Sequence, residues 1–239
     1  MRCLLIDTGE KRILVDNGIG NKQDDKFFGF YYLNGNATLE KSLHTLGYTA
    51  DDITDNWLTH LHFDHCGGGI KWNNDKTGFE PVFKSATFHT HKKQWDWAIN
   101  PNAREKASFL KENLLPMQES GHLNFLKNGN ELHSDISFEL VFGHTEAMML
   151  PKIKVGEKTI LYMADLCASV AHLRIPWVMG YDIRPLDTMS ERERILKQAA
   201  DNNYILFFEH DANNECCTVK HSEKGVVVDQ IFKLSEAGL

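Results

Sequence analysis

The feature that most constrains this chain is the segment 59–69, which reads Thr-His-Leu-His-Phe-Asp-His-Cys-Gly-Gly-Gly. It places three imidazoles and one carboxylate within six residues, at His60, His62, Asp64 and His65. A short apolar strand is predicted just before it and three glycines follow, so a compact loop can direct all four side chains to one point. Neutral imidazoles and carboxylates are ligands that Zn²⁺ and other first-row metals prefer. The segment therefore predicts a metal site.

The composition describes an ordinary globular protein and excludes several classes of partner. The 239 residues suffice for one large domain with a substantial core. The net charge of −7 argues against a nucleic-acid partner and against an anionic membrane surface. No apolar run approaches the roughly 18–20 residues of a membrane span, and the start of the chain is not apolar enough for a signal peptide. We therefore expect a small-molecule substrate, no nucleic-acid partner and no membrane.

The cysteine content indicates buried thiols rather than disulfides. The chain has five cysteines, an odd number, and Cys216 and Cys217 are adjacent, which rarely form a bond with each other. Small buried thiols are typical of proteins from a reducing compartment. A cytoplasmic location is the resulting expectation.

The first part of the chain is predicted to alternate strands and helices. Arg2–Asp7 and Arg12–Asp16 form a hairpin. Ile19–Asn36 is predicted as a loop that overhangs a pocket, and Ala37–Leu46 as a helix that Gly47 ends. A pair of helices follows later, and these are predicted at His91–Ile99 and Ala103–Glu119.

The second part is predicted to consist mainly of strands. A capping box, Ser190-Glu191-Arg192-Glu193, is expected to begin a helix that reaches about Ala200. The strands are predicted at Leu123–Leu126, Ser137–Phe142, Met149–Val155, Thr159–Ala164 and Tyr204–Glu209, with edge strands near Cys216–Lys220 and Gly225–Ile231. This order of elements describes two sheets with helices outside them, without an internal linker or repeat.

Further candidate ligands follow the apolar strands of the second part. His144, Asp165 and His210 each come just past the carboxyl end of a predicted strand. At that point the chain leaves the sheet and side chains from several strands can converge. These three residues are therefore candidates for the same metal chemistry.

The order of these motifs resembles the metallo-β-lactamase-fold hydrolase superfamily. The resemblance covers nearly the whole chain, and it rests on the motifs His60-x-His62-x-Asp64-His65, Gly143-His144-Thr145, Asp165, His210, Leu4–Gly9 and Leu14–Gly18. It implies an α/β fold, namely an αβ/βα sandwich of two mixed sheets flanked by helices, in a single domain over 1–239. Members usually carry residues before the opening hairpin, so an alternative is that an N-terminal segment, with an export signal or part of the pocket, is missing from this sequence.

The resemblance also implies a ligand set for two metal ions. The first ion would be held by His60, His62 and His144, the second by Asp64, His65 and His210, and Asp165 would bridge both. Two Zn²⁺ ions are expected, with Mn²⁺, Co²⁺ or Fe²⁺ as alternatives. The implied function is a dinuclear zinc-dependent hydrolase whose metal-bridging hydroxide attacks a small ester, lactone or phosphotriester. Asp64 is also the candidate catalytic residue, because it could take the proton as the hydroxide attacks.

The chain departs from the family pattern at four positions beside these ligands. Glu146 and Ala147 stand where the family often has Pro and Gly, and Ala164 replaces a Gly before the bridging Asp. Ala168 stands where homoserine-lactone hydrolases place a Tyr, which weakens a lactonase assignment that depends on that Tyr. The long aromatic segment after Asp165 is loosely similar to the methyl-parathion-hydrolase-like subgroup.

Other readings of the same residues stay open. The first alternative function is a metal-dependent oxidoreductase of the same fold, similar to the sulfur dioxygenases, although these would not need Asp64, His65 and His210. The second is a nuclease, which the acidic balance disfavours. Asp16 could orient a ligand imidazole or simply form a turn, and His172 lies in the predicted pocket segment. The oligomeric state is open, with a homodimer as one alternative.

Overall fold

The protein consists of two compact units, each built around one mixed sheet. The computed structural model describes all residues 1–239. One unit comprises Cys3–Phe125, and we call it the N-terminal unit; the other comprises Met1–Arg2 and Leu126–Leu239, and we call it the C-terminal unit. The predicted α/β class and the two predicted mixed sheets are confirmed.

The N-terminal unit carries seven strands. Their bounds are β1 Leu4–Asp7, β2 Arg12–Val15, β3 Asp55–Trp57, β4 Ile70–Trp72, β5 Phe79–Pro81, β6 Thr87–His91 and β7 Leu123–Leu126. The main sheet has the order β1-β2-β3-β6-β7, and β4 pairs with β5 in a separate two-stranded sheet. β1 and β2 form the predicted antiparallel hairpin, whereas β3 lies parallel to both β2 and β6. Because β2 and β3 are parallel, their carboxyl ends, followed by Asp16 and by the segment 59–69, lie at the same edge of this sheet.

Five helices complete the N-terminal unit. Their bounds are α1 Asp25–Gly29, α2 Leu39–Thr45, α3 Phe63–Cys66, α4 Lys92–Ile99 and α5 Lys111–Glu119. The predicted helix at Ala37–Leu46 is confirmed as α2, and the Thr38 hydroxyl caps it by accepting the Lys41 amide at 3.2 Å. α4 and α5 pack their buried apolar residues, such as Trp95 and Met117, into one core cluster.

Two predictions for the N-terminal unit are wrong in part. Residues Ala103–Leu110 are not helical, because the Asn102 side chain accepts the amides of Arg104 and Glu105 and holds this stretch as turns. The predicted loop Ile19–Asn36 contains the short helix α1, which Asp24 caps by accepting the Phe27 amide at 2.8 Å.

The C-terminal unit carries six strands and one long helix. Their bounds are β8 Ile136–Val141, β9 Met148–Val155, β10 Lys158–Tyr162, α6 Pro185–Asn202, β11 Ile205–Phe207, β12 Cys216–Ser222 and β13 Gly225–Phe232. The sheet order is β13-β12-β11-β10-β9-β8. Only the β10–β11 pairing is parallel, and α6 belongs to the crossover that this pairing requires. β12 lies inside the sheet, so the prediction of an edge strand there is wrong.

The helix α6 begins earlier than the sequence indicated. Pro185 occupies its first turn, where a fixed φ and a missing amide hydrogen are tolerated. The Ser190 hydroxyl lies inside the helix and donates to the Leu186 carbonyl, so the predicted capping box at 190–193 is wrong. The predicted helix that reaches about Ala200 is confirmed, and Ile195, Leu196 and Ala199 form part of its buried face.

The topology brings the predicted site residues of the C-terminal unit to one edge. β8 is antiparallel to β9, β9 is antiparallel to β10, and β10 is parallel to β11, so β8, β10 and β11 all run in the same direction. His144, Asp165 and His210 each follow the carboxyl end of one of these strands. No helix in the chain combines the length and the apolar character that a membrane span requires.

Candidate functional site

Three imidazoles of the N-terminal unit meet where the loop after β3 enters α3, with His60 and His62 on the loop and His65 in the helix. His60 and His65 are fully buried and His62 is 6% exposed. Nε2 of His60 lies 3.0 Å from Nδ1 of His62, and the His60 and His65 ring centroids lie 3.9 Å apart. Two nitrogens bound to one tetrahedral Zn²⁺ at 2.0–2.1 Å would lie about 3.3 Å apart, so the first distance is close to that of a shared metal.

Asp16 fixes the orientation of two of these imidazoles. Its Oδ2 atom lies 2.9 Å from Nδ1 of His65 and accepts the Thr59 hydroxyl at 2.8 Å. That hydroxyl in turn lies 3.0 Å from Nδ1 of His60. Both imidazoles therefore present Nε2, and a carboxylate or hydroxyl behind the other nitrogen is typical of metal-binding histidines.

Asp16 combines an unusual backbone conformation with contacts to the start of the histidine loop. The residue is fully buried with a φ of 54°, a left-handed conformation that is uncommon for residues other than glycine. Its Oδ1 atom also accepts the Thr59 amide at 2.8 Å. The carboxylate thus holds the start of the histidine loop as well as its side chains.

His62 is oriented by a residue that the sequence did not reveal. Nε2 of His62 lies 3.4 Å from Oε1 of Glu105, which is 3% exposed. The other oxygen of Glu105 accepts hydrogen bonds from the Trp97 indole N–H at 2.7 Å and from the Asn102 side-chain amide at 2.6 Å. His62 therefore presents Nδ1 towards His60. No spacing rule links Glu105 to the motif, and the sequence analysis placed this residue in the first part of a predicted helix, which is not helical in the structure.

Asp64 lies at the rim of the same group. Its Oδ2 atom is 3.8 Å from Nε2 of His65, and its side chain is 28% exposed. Asp64 and His65 are therefore near neighbours, and the Asp64 carboxylate faces the nitrogen of His65 that Asp16 leaves available.

Two of the three glycines after the motif, Gly67 and Gly68, are required by a close approach of backbone. A Cβ on Gly68 would lie 2.0 Å from the Asn17 carbonyl oxygen, and one on Gly67 would lie 2.3 Å from that of Ile19. Lys22 is also buried, and its Nζ donates to the Gly67 carbonyl. Burial lowers the pKa of Lys22 to about 8. The loop after β2 and the glycine turn therefore form one packed support beneath the histidines.

In the C-terminal unit, the Asp165 carboxylate lies between two imidazoles. Its Oδ2 atom is 3.2 Å from Nε2 of His144, and its Oδ1 atom is 3.1 Å from Nε2 of His210. The two oxygens thus face two different histidines, which is the arrangement that a carboxylate bridging two metal ions needs. Ala164, which replaces the family's Gly, has a φ of 41° and is fully buried.

His144 has its own orienting carboxylate, which the sequence analysis also missed. Oδ1 of Asp182 lies 3.0 Å from Nδ1 of His144, and Oδ2 accepts the Met179 amide at 3.1 Å. Asp182 is 2% exposed. It therefore fixes which nitrogen His144 presents to Asp165, and no sequence motif marks it.

Glu191 supports the strand end that delivers His144. Its two oxygens accept the amides of Phe142 at 2.7 Å and Gly143 at 3.0 Å. Burial raises the pKa of Glu191. The sequence had assigned Glu191 to a helix cap, whereas the structure uses it to hold the backbone before His144.

The predicted site residues thus form one group in each unit. His60, His62 and His65, with Asp64 beside them, group in the N-terminal unit, and His144, Asp165 and His210 group in the C-terminal unit. The donor set of imidazoles and carboxylates fits a divalent metal, and Nδ1 of His60, His65 and His144 is already held by a hydroxyl or carboxylate.

Known proteins share this sequence pattern and fold. The pattern of the metallo-β-lactamase superfamily matches residues 2–210. The N-acyl homoserine lactonase AiiA of Bacillus thuringiensis subsp. kurstaki is 23% identical over 228 residues, which cover 89% of this chain and 82% of the relative.

Two solved structures are similar over most of the chain. A probable metal-dependent hydrolase from Staphylococcus aureus is 26% identical, with a TM-score of 0.85 over 97% of this chain and 80% of that one. The dizinc quorum-quenching lactonase AidC, solved with a homoserine product, is 28% identical, with a TM-score of 0.79 over 95% of this chain and 78% of that one.

Proposed function

This chain belongs to the metallo-β-lactamase superfamily and is a metal-dependent hydrolase, and from this premise we propose that it is a lactonase that opens uncharged lactones with two bound zinc ions. Small esters and phosphotriesters are the competing substrates. The superfamily pattern spans most of both units, which supports the proposal that residues 1–239 act as one domain.

The position of Asp165 carries the dinuclear proposal. We assign His60, His62 and His144 to the first ion, Asp64, His65 and His210 to the second, and Asp165 to both. One oxygen of Asp165 faces His144 of the first set and the other faces His210 of the second. A single-metal site would use only one of those contacts.

The chain's own residues prepare this site by fixing protons and orientation. When bound, the metal pair supplies a nucleophilic hydroxide near neutral pH and polarises the substrate oxygen. Asp16 and Asp182 contact Nδ1 of His65 and His144, so those two imidazoles keep one tautomer, and Glu105 places a carboxylate beside Nε2 of His62. Asp64 is proposed as a ligand that also takes the proton released during attack.

The surroundings of the histidine motif favour an apolar, uncharged substrate. Phe63, between His62 and Asp64, packs its ring against Phe27 at 5.3 Å and Tyr31 at 5.0 Å. An aromatic surface of this kind beside polar ligands suits a compound with a hydrolysable polar head and an apolar chain. The relatives named as N-acyl homoserine lactonases act on a compound of that type.

Metal analysis combined with a substrate panel tests the proposal. We expect two zinc ions per chain and faster hydrolysis of N-hexanoyl homoserine lactone than of a nitrophenyl ester or a phosphotriester. His60→Ala should lower both metal content and activity, whereas His44→Ala, at an exposed position of α2, should change neither. One metal ion per chain would refute the dinuclear assignment, and a metal-loaded protein that opens no lactone would refute the substrate class.

A further inference from the structure

The segment after Asp165 is held at both ends by one buried arginine. Arg192 on α6 is fully buried, and its Nε donates to the Leu166 carbonyl at 3.0 Å. Its Nη1 atom donates to the Trp177 carbonyl at 2.7 Å. The segment 166–177 is therefore a closed loop of fixed shape whose first residue follows a proposed metal ligand.

The middle of this loop is fixed beside a second proposed ligand. The amide of Val170 donates to Oδ2 of Asp211 at 3.0 Å, and Asp211 directly follows His210. Oδ1 of Asp211 accepts the amides of Asn213 and Asn214, both at 2.9 Å, which keeps the carboxylate in place. The short 3-10 turn Val170–Leu173 is thus anchored to the residue that follows His210, a member of the cluster of His144, Asp165 and His210.

The turn presents one imidazole whose second nitrogen has no partner. Nδ1 of His172 lies 2.8 Å from the Ser169 hydroxyl, and its side chain is half-buried. No hydrogen bond or ion pair in the protein involves Nε2 of His172. When the hydroxyl donates to Nδ1, the neutral ring carries its proton on Nε2. Ala168 on the same loop offers only a methyl group.

We propose that His172 is a further catalytic residue, whose Nε2–H donates a hydrogen bond to the oxygen of the substrate that gains negative charge during hydrolysis, with Ser169 as its positioning residue. This inference rests on the proposed function, because it assigns a contact at the same site. A fixed donor aimed at a developing oxyanion stabilises the transition state more than the ground state. It also restricts the substrate to compounds that carry a carbonyl or phosphoryl oxygen.

The charged groups around His172 are consistent with a neutral donor. Burial lowers the pKa of His172, and the positive charge of Arg192 acts in the same direction. Asp182, Asp165 and Asp211 act in the opposite direction without reversing the shift. The ring therefore stays neutral near pH 7, which leaves Nδ1 able to accept from Ser169.

Paired substitutions in the metal-loaded enzyme separate donation from packing. His172→Leu removes the donor, whereas His172→Gln keeps an N–H close to the position of Nε2. With N-hexanoyl homoserine lactone we expect kcat/KM to fall about 10- to 100-fold for His172→Leu, mostly in kcat, and only a few-fold for His172→Gln. Ser169→Ala should cost about 3- to 10-fold. His44→Leu on the exposed face of α2 is the matched control, and all variants should keep the metal content of the unsubstituted protein.

A binding measurement gives a second readout that does not depend on turnover. Titration with the ring-opened product should shift the Nε2 resonance of His172 in imidazole NMR spectra and leave that of His133, on the surface, unchanged. An unshifted His172 signal, a kcat/KM within twofold of the unsubstituted enzyme for His172→Leu, or equal losses in the Leu and Gln variants would each overturn the inference. If the unsubstituted, metal-loaded protein hydrolyses no member of the substrate panel, the proposed function itself fails.

Discussion

Oδ2 of Asp16 lies 2.9 Å from Nδ1 of His65, and the same oxygen accepts the Thr59 hydroxyl that contacts His60. One buried carboxylate therefore orients two imidazoles. In the proposed assignment His60 belongs to the first metal and His65 to the second, so Asp16 supports both ions at once.

Asp16→Asn should weaken both metal ions together. The amide keeps the shape of the side chain, but it cannot accept from the Thr59 amide, the Thr59 hydroxyl and His65 as a carboxylate does. Loss of such an orienting group typically lowers metal affinity about 10- to 100-fold. Competition with a chromogenic chelator measures the affinity of both ions. Asp51→Asn, at an exposed position, is the control, and an unchanged affinity in Asp16→Asn would show that its contacts are merely structural.

Glu105→Gln should weaken mainly the ion that His62 binds. Glu105 lies 3.4 Å from Nε2 of His62 and also accepts from the Trp97 indole. The neutral amide removes the negative charge beside Nε2 of His62. We therefore expect about a 10-fold loss of affinity for one metal and little change for the other. Stepwise chelation resolves the two ions, and the emission of Trp97 reports the loss of its acceptor. Glu119→Gln at the exposed end of α5 serves as control; an equal loss of both ions would contradict the assignment of His62.

Local spacing made the candidate ligands visible in the sequence, whereas the residues that contact and orient them were not. His60, His62, Asp64 and His65 lie within six consecutive residues, and His144, Asp165 and His210 each follow an apolar strand, so their positions are visible along the chain. Glu105 and Asp182 reach their histidines only through tertiary packing. No short-range pattern encodes such a contact.

Two helix boundaries were predicted wrongly because other side-chain interactions compete with the local sequence pattern. Ser190-Glu191-Arg192-Glu193 has the pattern of a helix cap, but Pro185 starts α6 earlier, and Glu191 instead accepts the amides of Phe142 and Gly143. Asn102 accepts two backbone amides and keeps the following residues out of a helix. The overall class was predictable because strand and helix periodicity extends over many residues, whereas a boundary depends on one or two side chains.

Gly68→Ala should destabilise the N-terminal unit. Its Cβ would lie 2.0 Å from the Asn17 carbonyl oxygen, a backbone atom that cannot rotate away. We expect a loss of about 1–3 kcal/mol in the free energy of unfolding, as for other overpacked sites. Urea unfolding followed by tryptophan fluorescence measures it. Gly180→Ala is the matched control, since a Cβ there meets nothing within 4 Å. A Gly68→Ala protein as stable as this control would mean that the two loops separate at little cost.

Lys22 should make stability depend on alkaline pH. Its pKa falls from 10.5 to about 8 in the folded protein because burial disfavours the charged amine. Between these two values the unfolded chain binds more protons than the folded one, so the free energy of unfolding rises with pH. Below about pH 8 both states are protonated and the charge of Lys22 opposes folding.

Lys22→Met removes this dependence and isolates it from other titrating groups. The unsubstituted protein should gain stability relative to Lys22→Met as the pH rises from about 8 to 10.5, with a slope of at most about 1.4 kcal/mol per pH unit. Urea midpoints at several pH values give the difference, and Lys26→Met on the exposed side of α1 should show no such trend. If the free energy of unfolding varies with pH in the same way for the unsubstituted protein and Lys22→Met, the Lys22 amine keeps its ordinary pKa. Its contact with the Gly67 carbonyl would then offset the cost of burying the charge.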